Sequence, residues 1–530
     1  MVQVDEGGAT RRRGARSGGL PLIVSRGRQL RDLEDEAWAA VAQASAATGG
    51  VWPVAYRSGG RLVRLAAGED GAGVEEVTSG ALLGLLGKVA TWRVARGGEG
   101  CMPPAQLLPV MLADPAQGLP ELDSVVHSPV YTAGGELVRV PGYSAAGRLV
   151  LLGQPFEPVA MSVQEAVDHL LGDWLCDFPF ASDASRAHVL ALLVALVGRR
   201  LISGPLPAWW IDAPVRGSGK SLLAELVGTV ALGRAPVPSP WSDQPEERRK
   251  RMLAALRTGA PLQWIDNIRG RIQDATLEGV LTSYPSYADR VLGESRDLTV
   301  KTHAVWVLTA NAATMSPDMA RRVLRVRLAP QTDQPELRQG FRHTDIRGWT
   351  RRHRPVLLSA VCALVQNWLD KGRPLSRAPL GSFESASQVL GGILEAAGVL
   401  GWLADQQEAQ ASADSEAQDW RALLGRWHEA AMASAGQELL DAEGEAGALA
   451  RHQMTPAQVV GLCETVEAHL HVLGDGNARS QATKAGNLLK AAAQSERVFT
   501  LQIGKESAMF MVRRVQGRDG AFYQLRRVKA

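Results

Sequence analysis

The clearest hydrophobic pattern in the chain is a short apolar run at Trp209–Ile211, followed by a turn of small residues and then by a helical repeat. The repeat indicates a helix that begins at about Lys220. Its apolar face consists of Leu222, Leu223, Leu226 and Val227. The pattern therefore predicts a strand, a tight loop and a helix in direct succession.

Further patterns predict elements that accompany this unit. Pro245–Thr258 is charged and helical, Pro261–Asn267 is an apolar strand that ends in polar residues, and Ala304–Thr309 is apolar almost throughout. A strand without a polar face is typical of the buried centre of a parallel sheet. Before the unit, residues 160–202 have helical patterns, and Ser182–Leu201 is predicted to be a plain core helix. Together these patterns predict an α/β core.

The flanking regions mix helical and strand-like patterns. A Gly59-Gly60 pair between two strand-like runs predicts a hairpin, and two helices followed by strands after Thr455-Pro456 have the order of a winged helix. The predicted segments are a disordered basic tail (1–27), an N-terminal α+β domain (28–158), the α/β core with preceding helices (159–335), a helical domain (336–404), a helical connector (405–452) and a winged-helix-like domain (453–530).

Composition restricts the function classes. The net charge of the 530-residue chain is +3, so any nucleic-acid surface would have to be local. The four cysteines form no Cys-x-x-Cys pair, which argues against a zinc site or a disulfide framework and fits a reducing cytosol. No apolar run reaches membrane-spanning length, and the N-terminal arginines are not followed by the apolar stretch of a secretory signal. We therefore expect a cytoplasmic protein without a membrane partner.

The turn after the apolar run has the composition of a phosphate-binding loop. Glycines allow backbone N–H groups to approach a phosphate chain, and the positive end of the helix dipole points to the same place. We expect Lys220 to contact the β- and γ-phosphates of ATP and Ser221 to ligate Mg²⁺. Pro214 stands where the usual pattern has glycine, so a Gly/Ser turn that caps a surface helix is the alternative. The predicted binding residues are Pro214, Val215, Arg216, Gly217, Ser218, Gly219, Lys220, Ser221 and Leu222.

The strand at 261–267 supplies the second part of this predicted site. Asp266 follows the apolar run and could hold Mg²⁺ beside the phosphates, from the strand next to the one before the loop. The next residue is Asn267, whose amide cannot deprotonate water. Glu247 on the charged helix is the first candidate for the general base and Glu246 the second. The alternative is that both lie on a solvated helix face and form Glu–Lys pairs.

Polar residues surround the apolar strand at 304–309. Asn311 is predicted at its carboxyl edge, where an amide can orient water against the γ-phosphate. The adjacent Arg321 and Arg322 could stabilise phosphoryl transfer across a subunit boundary, although such pairs on a surface helix are usually just solvated. The hairpin-like stretch before the strand carries Arg296 and Lys301 and could project into a pore.

The C-terminal stretch is locally basic. Lys484 lies in the second predicted helix, and Arg513 and Arg514 lie in a predicted strand of the hairpin that follows. A basic hairpin suits contact with DNA phosphates. A protein-contact module is the alternative, since winged helices also serve that purpose.

In this order of motifs the chain resembles the superfamily 3 and D5-like helicases of bacteriophages, plasmids and integrated mobile elements, within the P-loop AAA+ class. The resemblance rests on Ala213–Ser221, Glu247–Lys250, Trp264–Asn267, Asp289–Gly293, Thr309–Asn311, Asp318–Arg322, Phe341–Asp345 and Leu380–Glu384. It implies that Lys220 and Ser221 bind ATP–Mg²⁺, that Asp266 binds Mg²⁺, that Asn311 is a sensor, that Arg321 or Arg322 is the finger in trans and that Arg296 and Lys301 belong to a pore hairpin.

The resemblance also implies an activity. Similar proteins form hexameric rings that move along single-stranded DNA, so we expect an ATP-dependent helicase that acts as a homo-hexamer on single-stranded or forked DNA in phage or mobile-element replication. A separately encoded primase is an expected partner, because no primase site is visible in this chain. Two alternatives stay open: a nucleotide-switched origin-binding or recruitment factor that does not unwind DNA, and an ATPase for DNA packaging or defence.

Overall fold

The computed structural model describes residues 19–68, 71–116, 118–290, 297–311, 313–332, 334–406, 415–435, 437–465, 478–494, 498–503, 506–517 and 520–528. The chain divides into two compact units. The first comprises Met1–Ala313 with Arg321–Ala404, and the second comprises Thr314–Ala320 with Asp405–Ala530.

The N-terminal part of the first unit is built from short strands and three helices. The turn of the predicted hairpin is confirmed, because Gly59 and Gly60, at φ 55° and 79°, lie between the antiparallel strands Tyr56–Ser58 and Arg61–Gly68. The prediction of a disordered tail over residues 1–27 was wrong for Leu22–Val24, which forms a strand paired in parallel with Thr91–Arg93. The elements are Leu22–Val24 (β1), Leu30–Ala46 (α1), Tyr56–Ser58 (β2), Arg61–Gly68 (β3), Gly71–Glu76 (β4), Ser79–Val89 (α2), Thr91–Arg93 (β5), Leu107–Ala113 (α3), Ser124–Val126 (β6), Val130–Tyr131 (β7), Leu137–Val138 (β8), Gly142–Ser144 (β9) and Leu149–Leu151 (β10).

The following part of the chain alternates helices with the strands of the main sheet. Its helices are Val163–Val167 (α4), Asp183–Gly198 (α5), Lys220–Leu232 (α6), Pro245–Thr258 (α7), Ala275–Thr282 (α8), Pro317–Ala320 (α9), Ile346–Asp370 (α10) and Glu384–Ala396 (α11). Its strands are Ala208–Ala213 (β11), Pro238–Pro240 (β12), Leu262–Ile268 (β13), Arg271–Ile272 (β14), Ser286–Arg290 (β15), Asp297–Lys301 (β16), Val305–Asn311 (β17), Thr314–Met315 (β18) and Val323–Arg327 (β19).

Five of these strands form one parallel sheet in the order β12-β13-β17-β11-β19. The apolar stretch at 304–309 lies in β17, the middle strand, as its lack of a polar face predicted. Because β17 separates β11 from β13, the expectation that Asp266 comes from the strand next to the loop strand was wrong. The carboxyl ends of all five strands still share one edge, because the strands are parallel.

Helix α5 is the centre of the helical layer that covers this sheet. Of its residues, Ala184–Ser185 and Ala187–Gly198 are all buried, which confirms the predicted plain core helix. Its neighbours in the same hydrophobic cluster come from β11, α6, α10 and α11. No helix among the described residues combines the length and the apolarity needed to cross a bilayer.

From residue 415 onward, the second unit combines helices with an antiparallel sheet, whose described strands are Val498–Ile503, Glu506–Gly517 and Gly520–Val528 in this order. Trp420 and Trp427 are buried in its core with Phe510 and Tyr523. Residues 405–452 were predicted to be a helical connector. The helices are confirmed at Ser415–Ser434 and Gln437–Arg451, but the role of a connector was wrong, because Trp420 and Trp427 of the first helix belong to the core. The elements are Ser415–Ser434 (α12), Gln437–Arg451 (α13), Pro456–Thr465 (α14), Ala478–Gln494 (α15), Val498–Ile503 (β20), Glu506–Gly517 (β21) and Gly520–Val528 (β22).

Candidate active site

The loop between β11 and α6 is a tight turn held by its own polar groups. Gly217 and Gly219 have φ of 74° and 88°, which glycine adopts without strain. The carbonyl oxygen of Val215 accepts hydrogen bonds from Ser218 Oγ at 2.5 Å and from Lys220 Nζ at 3.3 Å. Helix α6 begins at Lys220, as predicted. The first N–H groups of a helix lack partners within the helix, so this turn can receive an anion.

The ammonium of Lys220 lies in a buried and acidic setting. Its side chain is 6% exposed, and burial lowers the pKa of Lys220, while the carboxylates of Asp212 and Asp266 oppose the shift. Asp212 is held by the guanidinium of Arg325 through bonds of 3.0 and 2.6 Å. A buried cation whose neighbouring carboxylate already has a partner is well placed to bind an anionic ligand.

Asp266 connects the end of β13 to the loop. Its Oδ1 accepts hydrogen bonds from Ser221 Oγ at 2.8 Å and from Thr309 Oγ1. The next residue, Asn267, is at φ 59°, and its N–H donates to the same Thr309 hydroxyl at 3.2 Å. Thr309 was not predicted as a site residue, although it opens the motif that contains Asn311. The Ser221 and Asp266 oxygens together have the chemistry that Mg²⁺ prefers.

The structure places the other predicted nucleotide contacts at two different edges. Asn311 ends β17 in register with Ala213, at the carboxyl edge beside the loop, and its side chain lies outside the described residues. Arg321 and Arg322 directly precede β19, at the opposite edge, where Arg322 Nη1 lies 3.3 Å from Glu278 Oε2. The intervening strand spans roughly 20 Å. These arginines therefore lie too far away to contact the loop of their own chain.

The two candidate bases lie in the first turn of α7 in ion pairs with arginine. Glu247 Oε1 lies 2.9 Å from Arg251 Nε, and Glu246 Oε2 lies 3.6 Å from Arg249 Nη1. This is the solvated helix face of the alternative prediction, with arginine in the place of lysine. Glu247 would have to leave this pair to act as a base.

The predicted pore hairpin consists of β15 and β16. Arg296 lies outside the described residues. Lys301 is the last residue of β16, at the base of the hairpin, and its ammonium forms an ion pair with Asp123. Lys301 therefore lies away from the tip of the hairpin, and the projection of the hairpin into a pore stays a prediction. The hairpin is tied to α7, because the guanidinium of Arg249 makes a bidentate contact with Asp289.

The predicted basic residues of the second unit do not share one face. Arg513 and Arg514 are both exposed neighbours on β21, so their side chains point to opposite faces. Arg514 pairs across the strands with Tyr523, whose hydroxyl donates to the carbonyl of Gly486 on α15 at 3.2 Å. Lys484 lies on that helix and is exposed. Arg514 and Lys484 are thus on the helical side of the sheet, and Arg513 is on the outer side.

A large cavity opens beside the loop. Its volume is about 680 Å³, and Gly217–Gly219 form part of its wall. Phe178 and Phe341 supply aromatic walls, and the guanidinium of Arg338 lies 4.9 Å from the centre of the Phe341 ring. Phe178 lies before the loop, in a part of the sequence that carries no recognisable motif, so it was not predicted as a site residue. A cavity of this kind suits a flat organic ring attached to an anion that the loop could bind.

The carboxylate of Glu336 lies against the loop. A Cβ atom at Gly217 would come within 2.7 Å of Glu336 Oε2, which shows how near the carboxylate is, while the φ of 74° is what favours glycine at this position. A negative charge beside the loop repels an approaching anion. Glu336 is therefore expected to oppose the binding of a phosphate chain.

No protein-family model and no curated protein matches this chain. Solved structures with similarity include the apo C-terminal region of NrS-1, at 10% identity and a TM-score of 0.36, covering 92% of this chain and 98% of that one. The active helicase Cch of SCCmec type IV is 12% identical, with a TM-score of 0.33 and coverage of 70% and 76%. A ligand-bound JCV helicase is 13% identical, with a TM-score of 0.21 and coverage of 45% and 68%. Similarity at this level carries no functional argument.

Proposed function

We propose that this chain is an ATPase of the P-loop AAA+ class that binds Mg²⁺–ATP between the loop and the end of β13. The observation that carries the proposal is the 2.8 Å hydrogen bond between Ser221 Oγ and Asp266 Oδ1. It brings together the hydroxyl and the carboxylate that hold Mg²⁺ in such enzymes. Lys220 would bind the β- and γ-phosphates, and the turn at 214–219 would surround the phosphate chain with N–H groups.

The cavity beside the loop would hold the nucleoside. Its volume of about 680 Å³ is within the usual range for ligand sites. The rings of Phe178 and Phe341 offer flat apolar surfaces for a base, while the phosphates extend toward Lys220. This assignment accounts for an open, partly aromatic cavity directly next to an anion-binding turn.

In this proposal, the arginine that stabilises phosphoryl transfer comes from the neighbouring subunit in a ring of identical subunits. Arg321 and Arg322 precede β19 and lie one strand length away from their own loop. A guanidinium placed across a subunit boundary can stabilise the charge of phosphoryl transfer. We therefore propose a homo-hexameric ring with one of these arginines as the finger in trans.

The proposed substrate of the motor is single-stranded or forked DNA, in phage or mobile-element replication. The hairpin β15–β16 would contact the strand, and its ion pair with α7 through Arg249 and Asp289 would couple it to the core of the same subunit. A separately encoded primase is a proposed partner.

A second candidate function is a nucleotide-controlled switch that recruits other proteins without unwinding DNA. Asn267 favours it, because this residue follows Asp266 and offers an amide where a base is needed. Glu247, the candidate replacement, is paired with Arg251. A site that binds ATP well and hydrolyses it slowly suits a switch.

Rates of ATP hydrolysis, measured with and without single-stranded DNA, distinguish the two functions. The motor predicts hydrolysis that DNA stimulates, together with strand displacement on a forked duplex. The absence of both, in a protein that binds Mg²⁺–ATP, would favour the switch. Asn267→Glu adds a sharper test, since a new carboxylate next to Asp266 should accelerate hydrolysis if the missing base limits the rate.

A further inference from the structure

A second cavity lies at the amino edge of the parallel sheet, away from the proposed ATP site. Its volume is about 90 Å³, and basic side chains dominate its polar lining. Arg199 and Arg200 come from the end of α5, and Lys301 and His303 come from the chain just before β17. Asp123 is the sole carboxylate among the lining residues that the structure describes. The side chains that line this cavity therefore carry more positive than negative charge.

Arg199 has an N–H group without a partner. Its side chain is 9% exposed, and its two terminal nitrogens donate to the carbonyls of Ile202 at 2.9 Å and Gly204 at 2.8 Å. Its Nε is buried and has no hydrogen-bond partner in the described part of the chain. Burial lowers the pKa of Arg199 to about 10. Buried donors are nearly always bonded, so an unpartnered one at a cavity wall points to a ligand.

One carboxylate cannot balance the cations around it. Asp123 forms an ion pair with Lys301, and its Oδ2 lies 3.2 Å from Arg148 Nε and 3.9 Å from Arg200 Nη1. Arg200 also donates to Ser124 Oγ at 2.9 Å. Arg148 is also paired with Glu121 at 3.1 Å, so the cavity wall itself has three cations, Arg199, Arg200 and Lys301, against the one carboxylate of Asp123. Uncompensated charge in a partly buried place is costly, and a bound anion would remove that cost.

The remaining walls strengthen the attraction for an anion. Val125, Val130, Leu196 and Val197 line the cavity with apolar groups, which lower the local dielectric constant. His303 is uncharged at neutral pH, because burial lowers its pKa to about 4, so it offers one N–H donor. A water molecule needs roughly 10–15 Å³ of cavity, so a group of the size of phosphate has room.

We propose that this cavity is a binding site for a phosphate group, separate from the ATP site, in which the Nε of Arg199, the guanidinium of Arg200 and the ammonium of Lys301 hold the oxygens. The phosphate group could be free inorganic phosphate or the terminal phosphate of an oligonucleotide. The proposal does not depend on ATP hydrolysis, because none of these residues belongs to the loop or to the Mg²⁺ site.

The test measures binding of inorganic phosphate at constant ionic strength to the Lys220→Ala variant, which removes competition from the loop. Calorimetry should show one bound phosphate. Adding Arg200→Gln should weaken this binding by on the order of tenfold or more, because it removes a charged donor. Arg186→Gln on the same helix is the matched control, since Arg186 is exposed and pairs with Asp183, and it should bind phosphate as Lys220→Ala does.

A second arm uses a 5′-phosphorylated dinucleotide and its unphosphorylated form on the same variants. Preference for the phosphorylated form that Arg200→Gln abolishes would support the site and assign it to a strand end, whereas binding of free phosphate alone would support the inorganic source. The proposal is overturned if neither probe binds to the Lys220→Ala variant, or if Arg200→Gln binds as tightly as the control. A circular dichroism spectrum of the Arg200→Gln variant equal to that of the control verifies that this variant is folded.

Discussion

The guanidinium of Arg325 makes two parallel hydrogen bonds to the carboxylate of Asp212, at 3.0 and 2.6 Å, across the neighbouring strands β19 and β11. Both side chains are less than one fifth exposed. The same guanidinium lies 4.9 Å from the centre of the Trp210 ring. The pair lies one residue before the end of β11, so it anchors the strand from which the loop begins and keeps Asp212 from pairing fully with Lys220.

Arg325→Met should destabilise the protein. It leaves the Asp212 carboxylate buried without its partner, which costs about 3–5 kcal/mol. Asp212→Leu combined with Arg325→Met should recover much of this loss, because no unpaired charge remains. Urea unfolding followed by circular dichroism measures the difference. An unfolding midpoint of Arg325→Met equal to that of the wild type would show that the pair is not structural.

Thr309→Val should weaken the response to Mg²⁺. The Thr309 hydroxyl donates to Asp266 Oδ1, and losing an outer partner of a metal ligand typically costs 10–100-fold in metal affinity or activity. The measurement is the Mg²⁺ concentration that gives half-maximal ATP hydrolysis. Thr229→Val on α6 is the control, because it also removes a buried hydroxyl, one that donates to the carbonyl of Glu225. Equal Mg²⁺ requirements in the two variants would argue against the metal site.

Glu336→Gln should tighten nucleotide binding. The carboxylate lies against Gly217 and repels phosphates, and an exposed charge is worth about 1 kcal/mol at most, or roughly a fivefold change in the dissociation constant. The gain should shrink as salt is added, because the charges are screened. Glu136→Gln, at an exposed turn, should bind nucleotide as the wild type does. Unchanged affinity of Glu336→Gln at low salt would contradict this account.

His303 should titrate with a pKa of about 4, well below its ordinary value of 6.5, because burial disfavours the charged ring. The unfolded chain then binds more protons than the native one between those two values. The contribution of the uncharged His303 ring to the free energy of unfolding is therefore fully present above about pH 6.5 and decreases as the pH falls toward 4. Histidine NMR signals, assigned with His303→Gln, measure the pKa directly. A native pKa near 6.5 would contradict the burial, and His303→Gln should flatten the loss of stability.

Much of the core could be predicted because its signals are local. The length of α7, the start of α6 and the buried centre formed by β17 all follow from patterns within single segments. The signal of the phosphate-binding loop is also local, since Gly217 and Gly219 are needed for the positive φ of the backbone at their own positions. The same holds for the hairpin at Gly59-Gly60.

Relationships between distant segments were not visible in the sequence. Strand order depends on packing, so the placement of β17 between β11 and β13 could not be derived from an apolar run followed by an acid. Arg325 looked like one of several arginines in an alternating strand. Its role is visible only once β19 pairs with β11, because Arg325 then lies opposite Trp210 and its guanidinium reaches the carboxylate of Asp212. The helices α12 and α13 were taken for a connector, because their apolar residues can be recognised as core residues only when they pack against β20–β22.

The central claim, a Mg²⁺–ATP site at Lys220 and Asp266, is tested most directly by ATP turnover of Lys220→Ala beside the wild type, with Arg186→Gln as a folded control. The account predicts Mg²⁺-dependent hydrolysis by the wild type and the control, and none above background by Lys220→Ala, although that variant keeps the wild-type circular dichroism spectrum. Turnover by Lys220→Ala at the wild-type rate would contradict the account, because a triphosphate bound at this loop requires that ammonium.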